Sequence, residues 1–232
     1  MLSMNRIVLA VLLLSPSTVP SGYTETQLLS GLDRPVGLAI APDGRVFIIE
    51  QYTGRIRIYQ DGTLTTFATV SPIYSGDNET GLLGIALHPD FPATPYVYVF
   101  HTADDTTQRV LRYTASGNAA TAMTILIDNL PTQGINHDGG GIAFGPDGRL
   151  YVSIGDNAVD PDSAQSTTAR SGKILRYNAD GSIPTDNPFG ATNPVWCRGL
   201  RNTFRIAFRP TTGQLFGTEN GLGKIQRLYI AK

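Results

Sequence analysis

One short motif occurs four times in this chain and limits its fold more than any other feature. The copies are Gly37-Leu38-Ala39-Ile40-Ala41-Pro42-Asp43-Gly44, Gly84-Ile85-Ala86-Leu87-His88-Pro89-Asp90, Gly141-Ile142-Ala143-Phe144-Gly145-Pro146-Asp147-Gly148 and Arg205-Ile206-Ala207-Phe208-Arg209-Pro210-Thr211-Thr212-Gly213. Each reads as an apolar strand entering a turn in which proline presets φ and glycine relieves it. A second strand follows, Val46-Phe47-Ile48-Ile49 in the first copy and Leu150-Tyr151-Val152-Ser153-Ile154 in the third. A third, Gly54 to Tyr59 or Gly172 to Tyr177, alternates apolar with charged residues, the pattern of a half-exposed outer strand. Ala39, Ala86, Ala143 and Ala207 mark the copies at spacings of 47, 57 and 64 residues. These begin near the roughly 40 to 50 residues of a four-stranded propeller blade and then stretch by loop insertions. No segment carries a long helical period, so the expected class is all-β and the expected architecture a β-propeller.

The fourth copy starts near Arg205 and is followed by two strand-like runs, Gln214 to Thr218 and Ile225 to Ile230, before Lys232. A propeller closes on itself or leaves unpaired edges. The expectation is therefore a partial propeller of about four blades, truncated at its C-terminal side, with Thr24 to Leu29 a candidate outer strand. Length permits a sizeable core in one domain. Acidic and basic residues number 19 and 18, a balance that gives no electrostatic case for nucleic acid or an anionic membrane surface. A small-molecule or neutral partner fits better.

Asn5 and Arg6 precede an apolar run, Ile7 to Leu14, and then Ser15-Pro16-Ser17-Thr18-Val19-Pro20-Ser21-Gly22. A basic start, a short apolar core and a small-residue tail are expected to be a signal peptide over residues 1–22, with the propeller domain over 23–232 and an exported, periplasmic or secreted product. The single Cys197 cannot form an intrachain disulfide and reads as a small core residue. His88 and His101 read as turn and strand-end residues, Trp196 as a core aromatic, and Asp160-Pro161-Asp162-Ser163 as an exposed loop.

The run Asn136-His137-Asp138-Gly139-Gly140-Gly141 leads through Gly145-Pro146-Asp147-Gly148 to Gly155-Asp156. It sets a histidine and a carboxylate at the two ends of one β segment, where a β scaffold can offer proton chemistry. Together with Gly81-Leu82-Leu83-Gly84-Ile85-Ala86-Leu87-His88-Pro89-Asp90-Phe91, Gly172-Lys173-Ile174-Leu175-Arg176, Asp180-Gly181-Ser182-Ile183-Pro184, Asp186-Asn187-Pro188-Phe189 and Gly199-Leu200-Arg201-Asn202, this run resembles the soluble quinoprotein glucose/sorbosone dehydrogenases. The similarity extends over roughly Gly31 to Gly221.

The resemblance implies a six-bladed propeller that oxidises the anomeric hydroxyl of an aldose to the lactone, with pyrroloquinoline quinone (PQQ) as cofactor and an external electron acceptor. It implies that His137 is the general base and that Asp156 orients it. Arg201 and Asn202 match the family's pair that meets the quinone, and a planar guanidinium suits the cofactor's carboxylates. Calcium is implied at the carbonyls of Gly221 and Leu222, in Glu219-Asn220-Gly221-Leu222, with leucine where the family usually has proline. Glu79 stands where glucose-oxidising members carry a substrate-touching glutamine. Two other readings come from different classes: a non-catalytic propeller that binds protein or glycan, and a calcium-dependent hydrolase of the lactonase type.

Overall fold

The computed structural model describes residues 20, 22–75, 79–133, 135–158, 162–221 and 225–229. Two units emerge, Met1–Gly31 and Leu32–Lys232. The expected signal peptide lies outside the described residues except for positions 20 and 22. Within the first unit the described residues form no strand, so Thr24 to Leu29 is not the outer strand expected of it. Its side chains, Leu29 apart, are exposed, and a strand without a ladder or a buried face has nothing to hold it.

The second unit is built of antiparallel sheets in simple meander order. Strands β1 (Pro35–Ile40), β2 (Val46–Glu50), β3 (Arg55–Gln60) and β4 (Thr63–Thr69) form the first sheet. Strands β5 (Leu82–Leu87), β6 (Tyr96–Thr102), β7 (Thr107–Ser116) and β8 (Ala119–Pro131) form the second. The third holds β9 (Ile142–Phe144), β10 (Leu150–Ile154), β11 (Lys173–Tyr177) and β12 (Val195–Arg198). The last holds β13 (Thr203–Phe208), β14 (Leu215–Asn220) and β15 (Ile225–Tyr229). The repeated motif supplies the first strand of every sheet, and these first strands pack on one another: β5 touches β1 and β9, and β9 touches β13. This is blade order, and the all-β propeller expectation holds, with three four-stranded blades and three strands of a fourth among the described residues.

The turns behave as their chemistry dictates. Gly44 N–H donates to Ala41 O at 3.0 Å and Gly148 N–H to Gly145 O at 2.9 Å, each glycine at positive φ. The turn aspartates also reach outward. Asp147 accepts from Tyr151 Oη at 3.0 Å and from Arg176 Nη2 at 2.8 Å.

Apolar cores lie between successive blades. One joins Phe47, Ile49, Ile56 and Ile58 to Leu82, Val97, Val99 and Leu111. A second joins Tyr98, Phe100 and Val110 to Val152, Ile154 and Leu175. Each fully buried side chain of this size is worth about 1.5–3 kcal/mol of transfer free energy. Trp196 is half-buried rather than in the core, packed edge-on to Tyr151 at 5.7 Å under the Arg176 guanidinium, and Cys197 is a half-buried free thiol beside the same cluster.

One strand departs from expectation. The third strand of the third repeat, β11, is buried at every position including Lys173 and Arg176. Strand β12 covers its outer edge and the neighbouring blades pack on its faces, and both charges are satisfied inside: Arg176 by Asp147 and Asp186, Lys173 by backbone carbonyls. The corresponding β3 does alternate between buried and half-buried positions.

Candidate active site

Antiparallel pairing decides where the site lies. The first strands β5, β9 and β13 begin at one end of their sheets, and β10 and β14 finish at that same end. Glu79 precedes β5, His137 precedes β9, Asp156 follows β10, and Arg201 and Asn202 precede β13. Residues up to 123 positions apart in sequence are thereby brought within hydrogen-bond reach.

His137 Nδ1 and Asp156 Oδ1 lie 2.5 Å apart. An ionised Asp156 can only accept here, so a neutral His137 in this geometry would carry its proton on Nδ1 and its lone pair on Nε2. The side chains retain 14% and 15% exposure. Asp156 Oδ1 also accepts from Ala158 N–H at 2.9 Å, and Asp156 N–H donates to Arg201 O at 2.7 Å. The backbone is left-handed at His137 (φ 57°), Asn157 (φ 60°) and Ala158 (φ 56°). Non-glycine residues hold such angles at a cost of about 1–3 kcal/mol each, which the surrounding contacts must offset. A Cβ at Gly155 would overlap the His137 carbonyl, so only glycine lets the β10 end pass this close.

Glu79 joins three blades. Its Oε2 accepts from His137 N–H at 2.7 Å and from Asn202 Nδ2 at 2.7 Å. Asn202, almost wholly buried, uses its other end to accept from Gly139 N–H at 3.0 Å. Arg201 N–H donates to the Glu219 carboxylate, and Arg201 Nη1 donates to Asn220 O at 2.5 Å. Its guanidinium forms no ion pair with a carboxylate among the described residues. Gly221 is half-buried beside this pair, and Leu222 lies outside the described residues.

Several neighbours carried no signal in the sequence beyond their place in the motif. Asp138 turns into the interior and is fully buried. Its Oδ1 accepts from Thr132 Oγ1 and, at 3.1 Å, from Gln108 Nε2, which also donates to Asp138 O at 3.0 Å. Asp138 Oδ2 and Gln108 Oε1 have no partner among the described residues. Burial pushes the Asp138 carboxyl up to about 6. The other histidines stand apart: His88 Nδ1 accepts from Asp90 N–H at 3.1 Å, and His101 is buried within β6, where desolvation lowers it to about 4. No group of three or more His, Cys, Asp or Glu that could hold a metal ion occurs among the described residues.

Residues 32–229 match the model of the glucose/sorbosone dehydrogenase family. The chain is 32% identical over 233 residues to quinoprotein glucose dehydrogenase B of Acinetobacter calcoaceticus, covering 86% of this chain and 48% of that protein. It is 30% identical over 214 residues to aldose sugar dehydrogenase YliI of Escherichia coli, covering 87% and 57%. The PQQ-bound structure of aldose sugar dehydrogenase from Streptomyces coelicolor superposes with a TM-score of 0.80 at 31% identity, covering 88% of this chain and 62% of that one. The chain thus spans about half the length of the curated relatives it matches.

Proposed function

Because the chain belongs to the glucose/sorbosone dehydrogenase family, we propose that it acts, within the whole protein, in the PQQ-dependent oxidation of the anomeric hydroxyl of an aldose or related sugar to the lactone. The observation that carries this reading is the His137–Asp156 pair, 2.5 Å apart, tied by Asp156 N–H to the backbone of Arg201, whose guanidinium forms no ion pair with a carboxylate among the described residues.

The residues present fit the cofactor. PQQ carries three carboxylates, and Arg201 has donor capacity left after its one bond to Asn220 O. Asn202 sets the backbone beside it, with both ends of its amide engaged by Glu79 and Gly139. When bound, the quinone supplies the two-electron acceptor that no side chain provides. His137 Nε2 accepts the proton of the substrate hydroxyl, and Asp156 keeps the ring in the Nδ1–H tautomer and stabilises the imidazolium that forms. Glu79, anchored through Oε2, is proposed to meet a sugar hydroxyl with its other oxygen.

Calcium enters the proposal only alongside the cofactor. The ion takes six to eight oxygens, and among the described residues the expected segment offers the Gly221 carbonyl, next to an Asn220 carbonyl already facing Arg201. Cofactor carboxylates and water would have to complete the shell. Export to the periplasm or medium, and reoxidation by an external acceptor, belong to the same reading.

The test is reduction of an artificial dye by the whole protein with PQQ and a panel of aldoses. Sugar-dependent turnover that disappears in His137→Ala while the quinone still binds is expected. Binding of quinone without oxidation of any sugar would overturn the reading.

A further inference from the structure

Lys173 opens β11 and is completely buried, yet it forms no ion pair with a carboxylate among the described residues. Its Nζ donates to three backbone carbonyls: Ser163 O at 2.8 Å, Ala164 O at 2.9 Å and Ser171 O at 2.6 Å. An ammonium has three N–H donors and here all are used. Ser163 and Ala164 belong to a 3-10 turn, Ser163–Gln165, and Ser171 closes the same connection between β10 and β11.

Two threads lead from this cage to the site. Ser171 also accepts, through Oγ, from Asn157 Nδ2 at 3.1 Å, and Asn157 adjoins Asp156. Gly172, beside Lys173, donates its N–H to Gly155 O at 2.8 Å. On the other side, Ala164 O accepts from Gly199 N–H at 2.7 Å as well as from Lys173, and Leu200 N–H donates to Gly172 O at 3.1 Å. These bonds hang the Gly199-Leu200-Arg201-Asn202 run from the same loop that carries Asp156.

We propose that Lys173 is the positioning residue that couples the two halves of the site, holding the Asp156–Asn157 segment and the Gly199–Asn202 segment to one buried ammonium. The chemistry it serves is that of the proposed function, but its role in fixing His137 is a property of the protein alone. Without the ammonium, Ser171 O loses its bond from Lys173; the Asp156–Asn157 segment keeps Asp156 N–H to Arg201 O at 2.7 Å and Gly172 N–H to Gly155 O at 2.8 Å, but its Asn157 anchor on Ser171 loosens. Ser163 O keeps a bond from Ser166 N–H at 3.2 Å and Ala164 O keeps Gly199 N–H, so the fold around an apolar replacement retains most of its pairing.

The decisive readout is nitrogen-15 NMR of labelled histidine in the whole protein without cofactor, with the His137 signal assigned by its loss in His137→Gln. In the parent protein His137 is expected almost wholly in the Nδ1–H tautomer. In Lys173→Met, with folding checked by circular dichroism, the His137 signal is expected to move to a mixture of tautomers, and kcat in the loaded enzyme to fall about 10- to 100-fold, as displaced catalytic groups do. Ser171→Ala breaks the Asn157 thread but leaves the ammonium cage in place, and is expected to shift the tautomer in the same direction by less. A folded Lys173→Met protein with the parent tautomer would overturn the proposal, as would an unchanged signal in Ser171→Ala should Lys173→Met fail to fold. If the parent neither binds quinone nor oxidises sugars, the proposed function fails while the tautomer signal still decides the role of Lys173.

Discussion

Replacing Asp138 with asparagine is expected to stabilise the protein, and to do so increasingly as pH rises. Asp138 is fully buried, and desolvation lifts its carboxyl from 3.8 to about 6. The folded chain therefore binds this proton more tightly than the unfolded chain. The stabilisation that results is fully present below pH 3.8, is lost as pH climbs through about 6, and is absent above. At roughly 1.36 kcal/mol per pKa unit, the full change is about 3 kcal/mol, most of it between pH 4 and 7. Asparagine cannot ionise. It keeps an oxygen for Thr132 Oγ1 and Gln108 Nε2 and puts an N–H donor where Oδ2 lacks a partner among the described residues. Urea unfolding of both proteins at several pH values isolates the effect, because every other titrating group is common to the two. The difference in favour of Asp138→Asn should widen by about 3 kcal/mol from acid to neutral pH, a gain near 6–12 °C in Tm for a domain of this size. A difference that stays constant with pH, or a variant less stable at pH 7.5, would show that burial of the Asp138 carboxylate costs the folded protein nothing at neutral pH.

Gly155→Ala should cost at least a hundredfold in kcat, since a Cβ there overlaps the His137 carbonyl and must push the base aside; steady-state kinetics on the folded variant checks it. Arg201→Met should weaken PQQ binding about 10- to 100-fold, read by isothermal titration, by removing a charge-assisted donor that has no ion pair with a carboxylate among the described residues. Burial lowers Lys173 from 10.5 to about 8, so its desolvation cost is fully present below pH 8 and is relieved as pH rises toward 10.5. Above pH 8 turnover should therefore fall as the cage loses a donor, while the contribution of this lysine to stability rises; activity and unfolding profiles measured together separate the two trends.

The blades were legible in the sequence because proline, aspartate and glycine write a turn in local code, and an apolar run on either side reads as strand. His137 and Asp156 were legible as partners for a related reason: they flank one short hairpin, β9 to β10, whose antiparallel pairing returns the chain to its starting end. What lay between blades was hidden. Lys173 and Arg176 alternate with apolar residues just as Arg55 and Arg57 do, and nothing local distinguishes half-buried arginines paired with Glu50 from charges enclosed by three carbonyls or two carboxylates. Asp138 was hidden likewise, because its inward turn depends on Gln108 and Thr132 from the preceding blade. Glu79 was visible as a substrate candidate, but its grip on His137 N–H and Asn202 Nδ2 exists only once three blades meet.

In the proposed reaction His137 removes the substrate proton at a quinone held by this site. Anaerobic stopped-flow absorbance of the whole protein, loaded with PQQ and mixed with an aldose, measures that step in a single turnover. Quinone reduction is expected to be fast in the parent and about 10²–10⁴-fold slower in His137→Ala at equal cofactor occupancy, the range general-base removal produces. Reduction at the parent rate in His137→Ala would contradict it.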